Sequence, residues 1–315
     1  MRNRFSYVEG VPIEEPRIIN VLCEHCVRSA WLWLLAHTTP RPIEPDDICI
    51  WHFRIWIDGC QIIDMHLDEY SPMILARLYL ISQFIGDIEP IIRLTKGEDF
   101  PEISVIIPLD KDVASVVRSE RRFRNALSEV IAFWVRISTI IKCGNVSEYS
   151  SSLPNFQPED KGPDGLSIVL SEDQINIEVH SVKNSINNPQ QLISSAAFRK
   201  GENPKKKKLL DDFHLLEKKN IGFGRLDRTL AEVYRSLNSS PEQSIRYGLL
   251  AKSHYNAVVV ADDQHADPSL FVGYHRLRQL PNERIATYIS ATNWKELAEI
   301  TRQCVLRTFS DAGVI

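Results

Sequence analysis

Residues 162–183, GPDGLSIVLSEDQINIEVHSVK, constrain this chain more than any other stretch. Gly165–Leu170 and Gln174–Val182 are both strand-like and only Ser171-Glu172-Asp173 separates them, so an antiparallel hairpin is expected. A carboxylate, Asp164, opens the first run; after 13 intervening residues a second, Glu178, sits inside the next, and Lys183 closes it. A hairpin of this length folds the start of its first strand back beside the middle of its second. Two carboxylates placed so can converge on one hard cation and leave positions for water and phosphate oxygens. Such a cation polarises a phosphodiester, acidifies a bound water and stabilises the leaving oxygen.

The flanking patterns extend this picture. Asp112 can cap a helix from Val113 to about Lys142, whose apolar positions Phe123, Ala126, Leu127, Val130, Phe133, Trp134, Ile137, Ile140 and Ile141 recur near a period of 3.6. Residues 145–163 read as loop and 209–219 and 225–238 as helices. Tyr255–Ala261 (YNAVVVA) is a buried-type strand, Ile285–Ser290 another, and Trp294–Phe309 a closing helix. Upstream, Ile18–Ala36 reads as a helix ended by Thr39-Pro40 and Arg41-Pro42. Ile48–Ile57 and Cys60–Leu67 read as strands joined at Asp58-Gly59, Ser71–Ile85 as a helix and Glu102–Leu109 as a strand. Four of the six tryptophans precede residue 57, and residues 1–115 carry 10 Lys+Arg against 18 Asp+Glu, whereas 116–315 carry 27 against 23. The expected organisation is therefore an acidic, Trp-rich α+β module over 1–112 and a second domain over 113–315.

The order helix, hairpin, strand, helix, strand over about 113–261 resembles the PD-(D/E)XK nuclease superfamily, with Pro163-Asp164 as the first half of its signature and Glu178-Val179-His180 as the second. The resemblance implies an α/β (α+β) fold with a restriction-endonuclease-like core. It also implies metal-dependent hydrolysis of DNA or RNA phosphodiesters, as in restriction and anti-phage defence proteins such as the nuclease subunits of Hachiman systems. Asp164 and Glu178 would bind Mg²⁺ or Mn²⁺, with the backbone carbonyl of Val179 completing the shell. Members often carry a glutamate on the preceding helix, for which Glu129 is the candidate beside its apolar stripe; Glu120, among Arg118, Arg121, Arg122 and Arg124, reads as an ion-pair partner.

The chain departs from the signature at its lysine, since His180 stands two residues after Glu178. Strand alternation puts Glu178 and His180 on one face and Lys183 on the other. Three readings are open: His180 replaces the lysine as base or ligand, Lys183 reaches in from a strand end or bulge, or the site is degenerate and the fold only binds. A catalytically inactive subunit that binds nucleic acid or a partner ATPase or helicase is the alternative function, with the N-terminal module as the docking part.

Basic residues flank the motif, six Lys+Arg against two acids over 116–142 and ten against five over 199–228. Arg121, Arg122 and Lys205, Lys206, Lys207 and Lys208 are candidates for phosphate contacts, and Gln190 and Gln191 for base edges. A net charge of −4 excludes a bulk polycation. Cys23-Glu-His-Cys26 has the spacing of a zinc half-site with no matching second half. No P-loop or nucleophile elbow occurs, so an ATP-driven step would need a partner. Six scattered cysteines, no apolar leader and no run approaching the roughly 20 apolar residues of a membrane span point to a reduced, cytoplasmic protein without a membrane segment.

Overall fold

The computed structural model describes residues 17–22, 24–41, 43, 60–86, 88–100, 103–107, 111–142, 148–154, 164–171, 174–187, 189, 253–271 and 284–312. Its elements are β1 (Arg17–Leu22), α1 (Glu24–His37), β2 (Thr38–Arg41), β3 (Cys60–Met65), α2 (Ser71–Phe84), α3 (Glu89–Thr95), β4 (Ile103–Ile107), α4 (Lys111–Arg118) and α5 (Glu120–Lys142). They continue with β5 (Glu148–Ser151), β6 (Gly165–Ser171), β7 (Gln174–Ser185), β8 (Ser253–Asp262), β9 (Arg284–Ala291) and α6 (Trp294–Asp311). This is an α/β fold. A seven-stranded mixed sheet runs β2-β3-β9-β8-β7-β6-β5, and β1 and β4 form a separate antiparallel pair. The meander β5-β6-β7 is antiparallel, whereas β7, β8, β9 and β3 run parallel. Both edge strands are only four residues long, which limits edge-to-edge association.

The parallel strands are where the apolar runs lie. Ala257, Val258, Val259, Val260 and Ala261 of β8 are all buried, as expected of a strand covered on both faces. On one face α5 lays Phe123, Leu127, Val130, Trp134 and Ile137 into a core shared with α1, α2, α6 and the sheet. Trp134 is fully buried, lies 5.9 Å from Trp31 between ring centroids, and donates its indole N–H to Ser82 Oγ at 2.9 Å. Residues on either side of position 112 thus share one core and, through the β3–β9 pairing, one sheet.

The hairpin, the YNAVVVA strand and the helices 71–84 and 294–311 lie where the sequence puts them. Four readings need correction. The stretch 18–36 is not one helix: β-branched Ile18, Ile19 and Val21 form β1, paired to β4, and the helix begins at Glu24. After it, Thr38–Arg41 is an edge strand, where Pro40 is tolerated. β3 has β2 and β9 as neighbours, and residues 48–57 lie outside the described residues. The helix 113–142 is broken at Ser119, whose Oγ accepts from Arg122 N at 3.4 Å and restarts the chain as α5. Finally, β7 continues regularly past Lys183 to Ser185, pairing Lys183 with Val259 and Ser185 with Ala261, so there is neither a strand end nor a bulge at the lysine. The predicted helices 209–219 and 225–238 lie outside the described residues. Among the described residues no helix is long and apolar enough to cross a membrane.

Candidate functional site between helix α5 and the sheet

Glu129, Ala132, Phe133 and Arg136 fall on one stripe of α5, spaced i, i+3, i+4, i+7, and that stripe faces the β5-β6-β7 meander. Beneath it, alternation along β7 brings Glu178, His180 and Val182 to the α5 side, with Ser167 on β6 and Asn256 on β8 beside them.

Glu178 is 3% exposed and fully engaged. Arg136 forms an ion pair with its Oε2, and Asn256 Nδ2 donates to Oε1 at 2.5 Å. Asn256 Oδ1 accepts from Thr287 Oγ1 at 3.1 Å, which in turn accepts from Gln61 Nε2 at 2.9 Å. The carboxylate is therefore anchored to three further strands of the sheet. A buried charge needs such company, because desolvating an unpaired carboxylate costs several kcal/mol.

His180, also buried, places Nε2 3.0 Å from Ser167 Oγ, and Ser167 Oγ lies 3.0 Å from Ser151 Oγ. Its Nδ1 is 3.6 Å from Glu178 Oε1, too long for a hydrogen bond. Burial pushes the imidazole down to about 4; Glu178 opposes that shift and Arg136 adds to it, so the ring is neutral at pH 7. Serine, histidine and glutamate in this sequence of contacts have the order of a nucleophilic triad. Ser167, however, is fully buried mid-strand beside a cavity of about 20 Å³, room for a water and not for an acyl substrate.

Asp164 stands at the edge of that same cavity, together with Glu129, Arg136, Ser151, Ser167 and His180. Its N–H donates to His180 O at 2.9 Å, and its Oδ2 accepts from Val182 N at 2.5 Å and lies 3.5 Å from Lys183 Nζ. Asp164 thus prolongs the β6–β7 ladder along the edge of β7. Glu178 pairs with Ser167, three residues further along β6, roughly 10 Å of strand away. The hairpin brings Asp164 beside His180, Val182 and Lys183, and leaves Glu178 deeper under Arg136. Val179 sits inside β7 with Leu166 on one side and Tyr255 on the other, so its backbone belongs to the ladder.

This donor set does not fit a hard divalent cation as arranged. Mg²⁺ needs near-octahedral oxygens with several free positions, while Glu178 is occupied by Arg136 and Asn256 and Asp164 by Val182 N and Lys183. Among the described residues no group of three or more His, Cys, Asp or Glu is placed to hold a metal. Cys23 of the zinc half-site lies outside the described residues.

A groove of about 480 Å³ adjoins the cavity and shares Glu129 and Val182 with it. Arg121, Arg124 and Lys183 line it with the amides Asn125, Asn184 and Asn187. Asn184 organises its floor, donating to Asn125 Oδ1 at 2.6 Å and accepting from Arg124 Nε at 3.2 Å, while Arg124 also pairs with Glu120 at 3.0 Å. Arg122 is exposed one residue from Arg121. Lys205, Lys206, Lys207, Lys208, Gln190 and Gln191 lie outside the described residues.

Sequence reasoning missed Arg136 and Asn256. The signal for the arginine is present: a charged side chain four residues before Ile140 and three after Phe133, on a helix face otherwise destined for burial, needs a buried partner. Asn256, in the run YNAVVVA, is likewise a lone polar group on a buried strand. Compared with protein-family models and with curated proteins, the chain matches none.

Proposed function

We propose that this protein binds the sugar–phosphate backbone of DNA or RNA in the α5–β7 groove. Its core is of restriction-endonuclease type and serves here as a binding scaffold. The supporting observation is the groove itself, two arginines and three amides around about 480 Å³, opening beside a carboxylate pair whose cations are Arg136 and Lys183. Arginine and lysine supply phosphate contacts without sequence information, and amides add hydrogen bonds to phosphate or sugar oxygens. The test is fluorescence anisotropy with labelled single- and double-stranded DNA and RNA over a salt series. Neutralising about two phosphates on duplex DNA predicts a loss of about 12-fold in affinity between roughly 50 and 200 mM salt, and Arg121→Glu should weaken binding to all sequences alike. Binding unaffected by salt and by Arg121→Glu overturns the proposal.

A second reading, metal-dependent phosphodiester hydrolysis, is favoured by one specific observation: Glu129, Asp164 and His180 border a single cavity at the end of the groove. It requires Arg136 to leave Glu178. Plasmid and single-strand cleavage with Mg²⁺ or Mn²⁺, against Glu178→Gln, separates the two readings.

A further inference from the structure

The two carboxylates in the positions of the nuclease signature each carry a cation of this chain. Arg136, projecting from the sheet-facing stripe of α5, pairs with Glu178; Lys183, on the next stretch of β7, stands 3.5 Å from Asp164. We infer that Arg136 and Lys183 take the place of a divalent cation at this site, neutralising Glu178 and Asp164 from within and excluding Mg²⁺ and Mn²⁺.

Three physical points carry this. The first is charge: Glu178 and Asp164 each have a cation of this chain at their oxygens, so a dication reaching either of them meets a like charge first, and Glu129 is the third carboxylate on the cavity. The second is permanence. A lysine can vacate a site by losing its proton, but a guanidinium stays charged at any ordinary pH, so Arg136 leaves Glu178 only if the whole side chain moves. Movement would strand a carboxylate that is 3% exposed and tied to Asn256. The third is the remaining donor. Arg136 Nε is buried without a hydrogen-bond partner among the described residues, and Arg136 borders the water-sized cavity. The guanidinium therefore keeps one N–H for a water at the place where a metal-bound water would otherwise be sought.

The inference goes beyond nucleic-acid binding and stands or falls separately from it. Its test is direct Mn²⁺ binding to the full chain, read by the electron paramagnetic resonance signal of free Mn²⁺. The wild type should show no saturable binding up to millimolar Mn²⁺. Arg136→Ala combined with Lys183→Ala should acquire a site at least about tenfold tighter than any wild-type background, and adding Glu178→Gln should abolish it. Arg136→Lys, which retains a cation, should stay silent. Saturable wild-type binding that Glu178→Gln removes, in a variant with native near-ultraviolet circular dichroism, overturns the inference. A folded double-alanine variant that gains no Mn²⁺ site, with native near-ultraviolet circular dichroism, overturns it as well.

Discussion

Replacing Arg136 by Met should be among the most damaging single changes in the core. Arg136 is 21% exposed at its side chain and Glu178 4%, so the pair is largely withdrawn from water. At contact distance and an effective dielectric near 20 the gross attraction is about 5 kcal/mol, much of it offset by desolvating the arginine. Removing the arginine alone keeps the desolvation of Glu178 and forfeits its partner, a loss of about 3–5 kcal/mol. Partial exposure of Arg136 places the expectation near the lower figure, about 3 kcal/mol. Glu178→Gln in the same background keeps an oxygen for Asn256 Nδ2 and removes the stranded charge. The double variant should therefore recover at least about 2 kcal/mol of what Arg136→Met lost. Urea unfolding followed by tryptophan fluorescence and far-ultraviolet circular dichroism measures this, provided the two signals coincide and the m-value is unchanged. Should Arg136→Met cost under about 1 kcal/mol, or the two substitutions simply add, the ion pair is not the anchor described here.

Two further perturbations follow from the same geometry. His180 has its folded-state pKa lowered to about 4 from an ordinary value near 6.5, so between these the unfolded chain binds the proton that the folded chain refuses. Its contribution is complete above pH 6.5 and is lost as pH falls towards 4, about 3 kcal/mol in all; wild-type stability should fall that much further than His180→Gln over this window, and parallel curves would refute it. Ser82→Ala strands the fully buried indole N–H of Trp134 and should cost about 1–3 kcal/mol; Trp134→Phe carries its own cavity cost, but in its background, with the donor gone, Ser82→Ala should cost much less. Strictly additive effects of those two changes in urea unfolding would contradict the bond's role.

The hairpin and the order of elements around it were legible because alternation, a short polar turn and a 3.6 period are local signals. What escaped local reading depends on distant partners. Lys183-Asn184-Ser185 looks like the polar end of a strand, yet β8 beside it continues with Val259, Val260 and Ala261 and carries β7 on to Ser185. Ile19 and Leu22 satisfy helical i, i+3 spacing, yet β-branched Ile18, Ile19 and Val21 favour a strand, and pairing with Ile103–Ile107 decides for it. The division at 112 rested on composition, whereas β3 joins β9 across more than two hundred residues, a contact no periodicity announces. At the site, Glu129, Asp164, His180 and Lys183 were found from a motif, and three of them, Glu129, Asp164 and His180, border one cavity. Arg136 and Asn256, which decide what Glu178 can do, were hidden because Arg136 appears in sequence as one charge within an apolar helix stripe and Asn256 as the last of the polar residues that open an apolar strand.

The most direct measurement is to incubate the wild-type chain with labelled single- and double-stranded DNA and RNA in Mn²⁺, following bound fraction and strand length together at several salt concentrations. Substrate that is bound in a salt-dependent way and remains intact is the predicted result. Substrate that is cut, with cutting abolished by Glu178→Gln, would contradict the account and make Arg136 a displaceable guard over an active metal site.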